Sequence, residues 1–89
     1  MLVTHDPDWI ERFGGAPVDL VLAGHTHGGQ ITLFGLWAPN TRSRYGQKYR
    51  AGLVRSGPVP VWVTTGVGTT VLPLRWFARP EIVLLTLRR

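Results

Sequence analysis

The chain has 89 residues, with ten Lys and Arg against five Asp and Glu, and it contains no cysteine. This length is enough for one small domain and excludes two; the lack of cysteine excludes disulfides and thiolate metal ligands. The apolar runs are of strand length, too short to cross a bilayer as helices. The net charge of +5 leaves a phosphorylated substrate, an anionic lipid surface and nucleic acid open as partners, beside an ordinary solvated basic surface.

The first part of the chain has the pattern of a strand–helix–strand unit. Residues 2–5 predict a short strand, and Asp6 followed by Pro7 is typical of a helix start, with Asp6 as N-cap and Pro7 at the first helical position. A helix is predicted over residues 7–13 and is ended by a glycine pair. The apolar run at residues 18–23 predicts a strand buried on both faces. This order is typical of a parallel α/β unit.

The rest of the chain is rich in short strands. Strands are predicted over residues 30–34, 52–56, 59–65 and 81–87, with a long irregular segment over residues 35–50. The predicted fold class is therefore α/β, strand-rich, with one clear helix. Because one helix cannot cover both faces of a sheet of buried strands, the pattern predicts an incomplete domain.

All three histidines follow predicted strands. His5 ends the first strand, and His25 and His27 lie in a Gly-His-Thr-His-Gly-Gly turn at residues 24–29. Residues two apart on an extended segment point the same way, and the carboxyl ends of parallel strands meet at one edge. Three imidazoles at that edge predict a site for a divalent transition metal. The alternative for each histidine is an ordinary hydrogen-bonding role at the surface.

These blocks resemble calcineurin-like metallophosphoesterases. Gly-His-Thr-His at residues 24–27 is similar to the last signature of that family, and Val-Thr-His-Asp at residues 3–6 is similar to the block before it. Residues 43–46, 65–69 and 79–81 resemble a subgroup of bacterial phosphodiesterases that are often tethered to membranes. The resemblance implies that residues 1–89 form a partial domain, the C-terminal half of the family's α/β sandwich.

The resemblance also implies a two-metal centre for the hydrolysis of phosphoesters. By correspondence with the family, His5 and His25 would share one ion and His27 would hold the other, the ions being Mn, Zn, Fe or Ni. The family's Asp-x-His, Gly-Asp and Gly-Asn-His blocks have no counterpart in this chain. We therefore assign no catalytic residue here and expect the chain alone to be inactive and to bind at most one ion weakly.

The implied substrate is a phosphoester, with lipid-linked substrates and nucleotides both open. Arg42, Arg44 and Tyr45 lie in the long irregular segment and are candidates for contacts with its phosphate or sugar, with an ordinary solvated loop as the alternative. The Arg-Trp-Phe run at residues 75–77 is typical of a peripheral membrane contact, with core packing of the two aromatic rings against the missing half of the domain as the alternative. The expected setting is a cytoplasmic or membrane-associated bacterial protein.

One alternative function is a basic module that binds anionic lipid or nucleic acid and retains some metal affinity. Another is a small structural metal protein, in which the metal would contribute to folding. Nucleic acid is not expected as a partner, because no nucleic-acid-binding motif accompanies the arginines. A half-sheet with an open strand edge is also expected to self-associate.

Overall fold

A computed structural model describes residues 1–12, 17–71 and 73–88. Its centre is one sheet built from β1 (Leu2–Val3), β2 (Val21–Ala23), β3 (Gly52–Ser56) and β4 (Val59–Val63). The strand order is β1-β2-β4-β3. Strands β1, β2 and β4 run parallel, and β3 is antiparallel to β4. This small mixed sheet with few helices is compatible with the predicted α/β class.

The predicted helix is shorter and tighter than expected. Pro7–Arg12 is a 3₁₀ helix of six residues, and the described part of the chain has no longer helix, so the expectation of one clear helix is not confirmed. So short a segment gains too few hydrogen bonds to offset the cost of starting an α-helix. The start is as predicted, because the Asp8 N–H donates to Asp6 Oδ1 at 2.9 Å. The predicted glycine end lies outside the described residues.

Two predicted strands do not form ladders. Residues 81–87 are not paired as a strand in the described structure, and Ile82 and Leu84 are 91% and 93% exposed. Within residues 30–34, Ile31 bridges the segment at residues 76–77 while Leu33 bridges Trp37. The backbone reverses directly after Leu33, where the next two residues have positive φ. No continuous strand can pass through such a reversal.

One face of the sheet carries the core. Its central row is in register across all four strands and is formed by Leu2, Val21, Val61 and Val54. Ile10 of the 3₁₀ helix and the fully buried Tyr49 pack against this face. The apolar cluster fixes the distance between the 3₁₀ helix, the sheet and the segment before β3.

The opposite face is covered only in part. Its central row is formed by Val3, Leu22, Trp62 and Leu53. Val3 and Leu53, which lie on the two edge strands, are 70% and 63% exposed. Residues 81–85 lie over the middle of this row and bound a cavity of about 390 Å³. Leu22 of β2 is half-buried on this face, so the prediction that β2 is buried on both faces holds fully for the core face only.

The direction of the strands gathers several loops at one edge of the sheet. β1, β2 and β4 all end there, and the antiparallel β3 begins there. The loops at this edge therefore include residues 4–6, 24–30, 49–51 and 64–71. Among the described residues, no helix has the length and apolar character needed to cross a bilayer.

Candidate metal centre

Two of the three histidines touch each other at this edge. His5 follows β1 and His25 follows β2, and their neighbouring backbones are joined by a hydrogen bond from Gly24 N–H to His5 O of 3.1 Å. His5 Nε2 and His25 Nδ1 lie 2.9 Å apart, and the rings meet edge to face with centroids 4.7 Å apart. The parallel pairing of β1 with β2 thus brings together side chains that are 20 residues apart in sequence.

The third histidine faces elsewhere. His27 Nδ1 lies 3.1 Å from the carbonyl oxygen of Gly68, in the loop after β4. Because a carbonyl oxygen only accepts hydrogen bonds, Nδ1 is the protonated ring nitrogen and donates to it. In the neutral ring Nε2 of His27 then carries the lone pair, and no described residue donates a hydrogen bond to it.

The two histidines of the turn diverge because its backbone is not extended. His25 and His27 have φ values of 68° and 52°, and Gln30 has 54°. These are left-handed conformations that residues with a side chain seldom adopt. The rule that residues two apart face the same way applies to strands, so it does not hold in this turn. His25 consequently points towards His5, and His27 towards the loop after β4.

Buried polar groups hold the turn in this conformation. Thr26 Oγ1 donates to Arg50 O at 2.7 Å. The Gln30 side-chain amide donates to Thr70 O at 3.0 Å and accepts from Thr70 N–H at 2.7 Å. The Thr26 and Gln30 residues are both buried. These bonds join the turn to the segment before β3 and to the loop after β4, which offsets the cost of the left-handed backbone.

Two arginines bind backbone carbonyls around the turn. Arg50 donates to Gly28 O at 3.1 Å and to Gly35 O at 2.6 Å. Arg75 donates to His27 O in the turn at 3.3 Å and to Thr65 O in the loop after β4 at 2.7 Å. Partial burial lowers the pKa of the Arg75 guanidinium, which still leaves it a cation at neutral pH. Neither arginine forms an ion pair with a described carboxylate.

The arginines predicted to bind substrate lie in two different places. Arg42 lines a cavity of about 210 Å³ together with His27, Asn40 and Thr70. Arg44 and Tyr45 line a separate cleft of about 130 Å³ beside the 3₁₀ helix. Only Arg42 therefore shares a cavity with a predicted metal ligand.

Asp8 organises the loop that carries Arg44. Its carboxylate accepts hydrogen bonds from Ser43 Oγ at 2.5 Å and from Arg44 N–H at 2.7 Å. A carboxylate that binds loop N–H and O–H groups in this way fixes the loop relative to the helix. Asp8 therefore serves loop structure, and Asp6 serves as the N-cap.

The residues predicted as a membrane contact are exposed. Trp76 and Phe77 each expose more than half of their surface. The Phe77 ring contacts the Phe34 ring at an interplanar angle of 55°, with centroids 5.6 Å apart. Neither ring packs in the core formed by the described residues, and both the membrane contact and the packing against further protein stay predictions.

The described side chains supply only part of the coordination shell of a divalent ion. Among the described residues, no three His, Asp or Glu side chains converge as a metal-binding group. The His5–His25 pair nevertheless fits part of a coordination shell. Neighbouring ligands of an octahedral ion with bonds of about 2.1 Å lie about 3.0 Å apart, close to the 2.9 Å between these two nitrogens. The imidazoles present therefore fit a transition-metal ion that has further ligands.

Sequence reasoning missed the polar residues that support the turn, which are Thr26, Gln30, Arg50 and Arg75. One signal was available for the arginines. Basic residues outnumber acidic ones by ten to five, so several arginines must find partners other than carboxylates. Glycine-rich turns leave carbonyl groups without ladder partners, and such groups are acceptors for a buried guanidinium.

The chain is similar to named bacterial proteins over nearly its whole length. It is 42% identical over 88 residues to the uncharacterized metallophosphoesterase YkuE of Bacillus subtilis, covering 99% of this chain and 30% of that protein. It is 37% identical over 87 residues to the phosphodiesterase YaeI of Escherichia coli, covering 98% and 32%. A metallophosphoesterase of Aquifex aeolicus is 35% identical over 89 residues, covering 99% and 32%.

These matches define the class of protein. The chain is homologous to metallophosphoesterases, as the motif resemblance predicted. The three relatives given above are bacterial proteins, and YaeI is named a phosphodiesterase. The chain spans about a third of the length of these relatives. No family model and no solved structure matches it significantly.

Proposed function

We propose that this chain is the histidine-bearing part of a metal-dependent phosphodiesterase, and that the remaining metal ligands belong to another segment of a longer protein. The observation that carries the proposal is the contact between His5 and His25 at the carboxyl edge of the parallel strands. The relatives' names support phosphoester hydrolysis, and one of them supports a diester substrate.

In this proposal the histidines are divided between two ions. His5 and His25 hold one ion, since their facing nitrogens have the spacing of neighbouring ligands. His27 holds the other through Nε2, since its Nδ1 is bound to Gly68 O. Divalent ions at such a site supply Lewis-acid polarisation of the phosphoryl group. The division agrees with the assignment that the family resemblance implies.

The protein's own charged groups would orient the substrate. Arg42 lines the cavity beside His27, and no described residue pairs with its guanidinium. A guanidinium binds two phosphate oxygens at once through its planar fork. Arg42 would therefore hold the non-reacting phosphate oxygens, and the cavity would accept one of the two alcohol groups of the diester.

The same donor set implies that this chain is inactive by itself. Three neutral imidazoles leave the charge of two divalent ions without compensation, because no described carboxylate lies among them. Hard divalent ions and two-metal sites need oxygen ligands as well. The isolated chain should accordingly bind no more than one ion, and bind it weakly.

The proposal is tested by segment exchange in the phosphodiesterase YaeI, in which this chain replaces the segment that it matches. The chimera should hydrolyse bis-p-nitrophenyl phosphate in the presence of Mn²⁺, whereas the 89-residue chain alone should not. His5→Ala, His25→Ala and His27→Ala should each lower kcat by at least about a hundredfold, because losing a ligand displaces an ion.

The matched control is Arg55→Ala, which removes an exposed residue of β3 far from the histidine edge. This substitution should leave kcat within about twofold of the unsubstituted chimera, because it changes an exposed residue away from the site. An active chimera that tolerates the loss of His25 and His27 would refute the metal assignment. Mn²⁺-dependent turnover by the unassisted chain would refute the claim that further ligands are required.

A further inference from the structure

Arg75 has an unusual set of partners for an arginine. Its Nε and Nη2 both donate to Gly68 O, at 2.9 and 2.6 Å. Nη2 also donates to Thr65 O at 2.7 Å, and Nη1 donates to Ala78 O at 2.9 Å and His27 O at 3.3 Å. All these acceptors are backbone carbonyls, in three separate segments of the chain. One side chain thus joins the loop after β4, the histidine turn and the segment at residue 78.

The Gly68 carbonyl is the point where Arg75 meets the histidine. The same oxygen accepts two hydrogen bonds from Arg75 and one from His27 Nδ1–H. If this oxygen moved, the His27 ring would lose the acceptor that determines its tautomer and rotation. The backbone of His27 is held by the same guanidinium, through the bond to His27 O. Arg75 therefore restrains both the ring and the main chain of one residue.

We propose that Arg75 is a positioning residue for His27, which holds the Gly68 carbonyl in place so that His27 keeps its proton on Nδ1 and presents Nε2 to a metal ion. The metal part of this inference rests on the proposed function. Histidine ligands commonly donate their second N–H to a carbonyl or carboxylate, and losing that partner lowers metal affinity by about 10–100-fold. In this chain the acceptor is the Gly68 carbonyl, which lies in a loop, and the hydrogen bonds from Arg75 hold that carbonyl in position.

Lysine cannot replace Arg75 in this role. The guanidinium presents five N–H groups in a fixed plane. Two of them donate to the Gly68 oxygen, and the other three donate to three further carbonyl oxygens. An ammonium group has three donors on a single nitrogen and cannot span these positions. Arg75→Lys therefore keeps the positive charge and removes the planar arrangement of N–H donors.

Arg50 provides the matched comparison. It also binds carbonyl groups around the histidine turn, those of Gly28 and Gly35. Neither of these oxygens accepts a bond from a histidine ring in the described structure. Arg50→Lys should therefore weaken the turn in a similar way without releasing the acceptor of His27.

The experiment is nitrogen NMR, with ¹⁵N-labelled histidine, of this chain within the YaeI chimera described above. In the unsubstituted chimera, His27 should show a protonated Nδ1 and an unprotonated Nε2. Arg75→Lys should convert this signature to a mixture of tautomers and lower the Zn²⁺ affinity, read from the shift of His27 Nε2, by about tenfold or more. Arg50→Lys should leave the His27 tautomer unchanged.

The inference is overturned if His27 keeps the Nδ1–H signature in folded Arg75→Lys, or changes equally in Arg50→Lys. If Arg75→Lys does not fold, the unsubstituted chimera decides the matter. The Nε–H of Arg75 should then exchange with solvent far more slowly than that of the exposed Arg55, and equal rates would refute the proposal. If Zn²⁺ shifted no histidine resonance while the tautomer still responded to Arg75→Lys, the proposed function would fail and the positioning of His27 would stand.

Discussion

At the scale of single residues, the site depends on backbone conformations that most side chains avoid. His25, His27 and Gln30 all have positive φ, and the two glycines between His27 and Gln30 do as well. Each such conformation costs on the order of 1 kcal/mol or more when the residue has a Cβ. The surrounding hydrogen bonds from Thr26, Gln30 and the two arginines offset this cost.

Gly29 gives a test of how tightly this turn is packed. A Cβ at Gly29 would lie 2.2 Å from Ala38 Cβ, and its φ is +82°. Gly29→Ala should therefore destabilise the chain by about 1–3 kcal/mol for overpacking, in addition to the backbone cost. Gly46→Ala is the control, since Gly46 also has a positive φ but has open space around it. Unfolding in urea compares the two, and equal losses of stability would contradict the described packing.

At the scale of elements, the 3₁₀ helix is held by side chains that reach it from the segment before β3. Glu11 Oε1 accepts hydrogen bonds from Lys48 Nζ and from the Tyr49 hydroxyl. The hydrogen bond from Lys48, followed by that from Tyr49, lowers the pKa of Glu11. Burial and the bond to Glu11 raise the pKa of Tyr49. These contacts complement the apolar packing of Ile10 and Tyr49 on the sheet.

The Glu11 contacts predict a dependence of stability on pH. Because its folded pKa is depressed, Glu11 contributes stability that is fully present above its unfolded value of 4.5 and is lost as the pH falls through the folded value. Glu11→Gln should therefore be less stable than the unsubstituted chain at pH 7, and the difference should shrink towards pH 3. Urea unfolding across this range measures it.

Asp19→Asn is the control for charge. Asp19 is exposed and has no hydrogen bond to another described residue through its carboxylate. Its removal changes the net charge by the same amount as Glu11→Gln. A loss of acid-sensitive stability in both variants would indicate a general charge effect in place of the Glu11 contacts.

At the scale of the whole molecule, the main feature is a sheet with one face covered by the core. Ile10 and Tyr49 cover the face with the core. The opposite face presents Val3 and Leu53 on its edge strands, both largely exposed. Apolar surface of this kind normally packs against further protein. This architecture agrees with a chain that spans about a third of its relatives' length.

The isolated chain should self-associate through this open face. Leu53→Lys places a charge in the exposed row and should shift the chain towards the monomer, as charges on edge strands do. Leu36→Lys is the control, because Leu36 is even more exposed but lies in a loop away from the sheet. Sedimentation velocity at micromolar concentration measures the change. A monomeric unsubstituted chain with sharp, reversible unfolding would contradict the prediction.

Some of this protein could be determined from its sequence alone. The apolar runs predicted β2, β3 and β4 within a few residues, because burial on a sheet demands runs of that length. Asp6 and Pro7 predicted the helix start, because N-capping is local chemistry. The Gly-His-Thr-His motif predicted the relationship to metallophosphoesterases, which the comparisons confirm.

The tertiary structure alone decided which side chains meet. Residues 81–87 have a strand pattern, yet a strand also needs a neighbouring backbone along its length, and in the described structure only Glu81 has one, through the bond from its N–H to Gly66 O at 2.8 Å. The partners of His5 and His27 lie 20 and 41 residues away, at distances where no local pattern operates. The pairing of β1, β2 and β4 determines which loops lie next to each other, and therefore which partners the histidines contact. The left-handed backbone of His25 and His27 makes their two rings point in different directions. Long-range pairing therefore places the histidines, because the direction of a side chain follows from a backbone that only the assembled sheet holds in position.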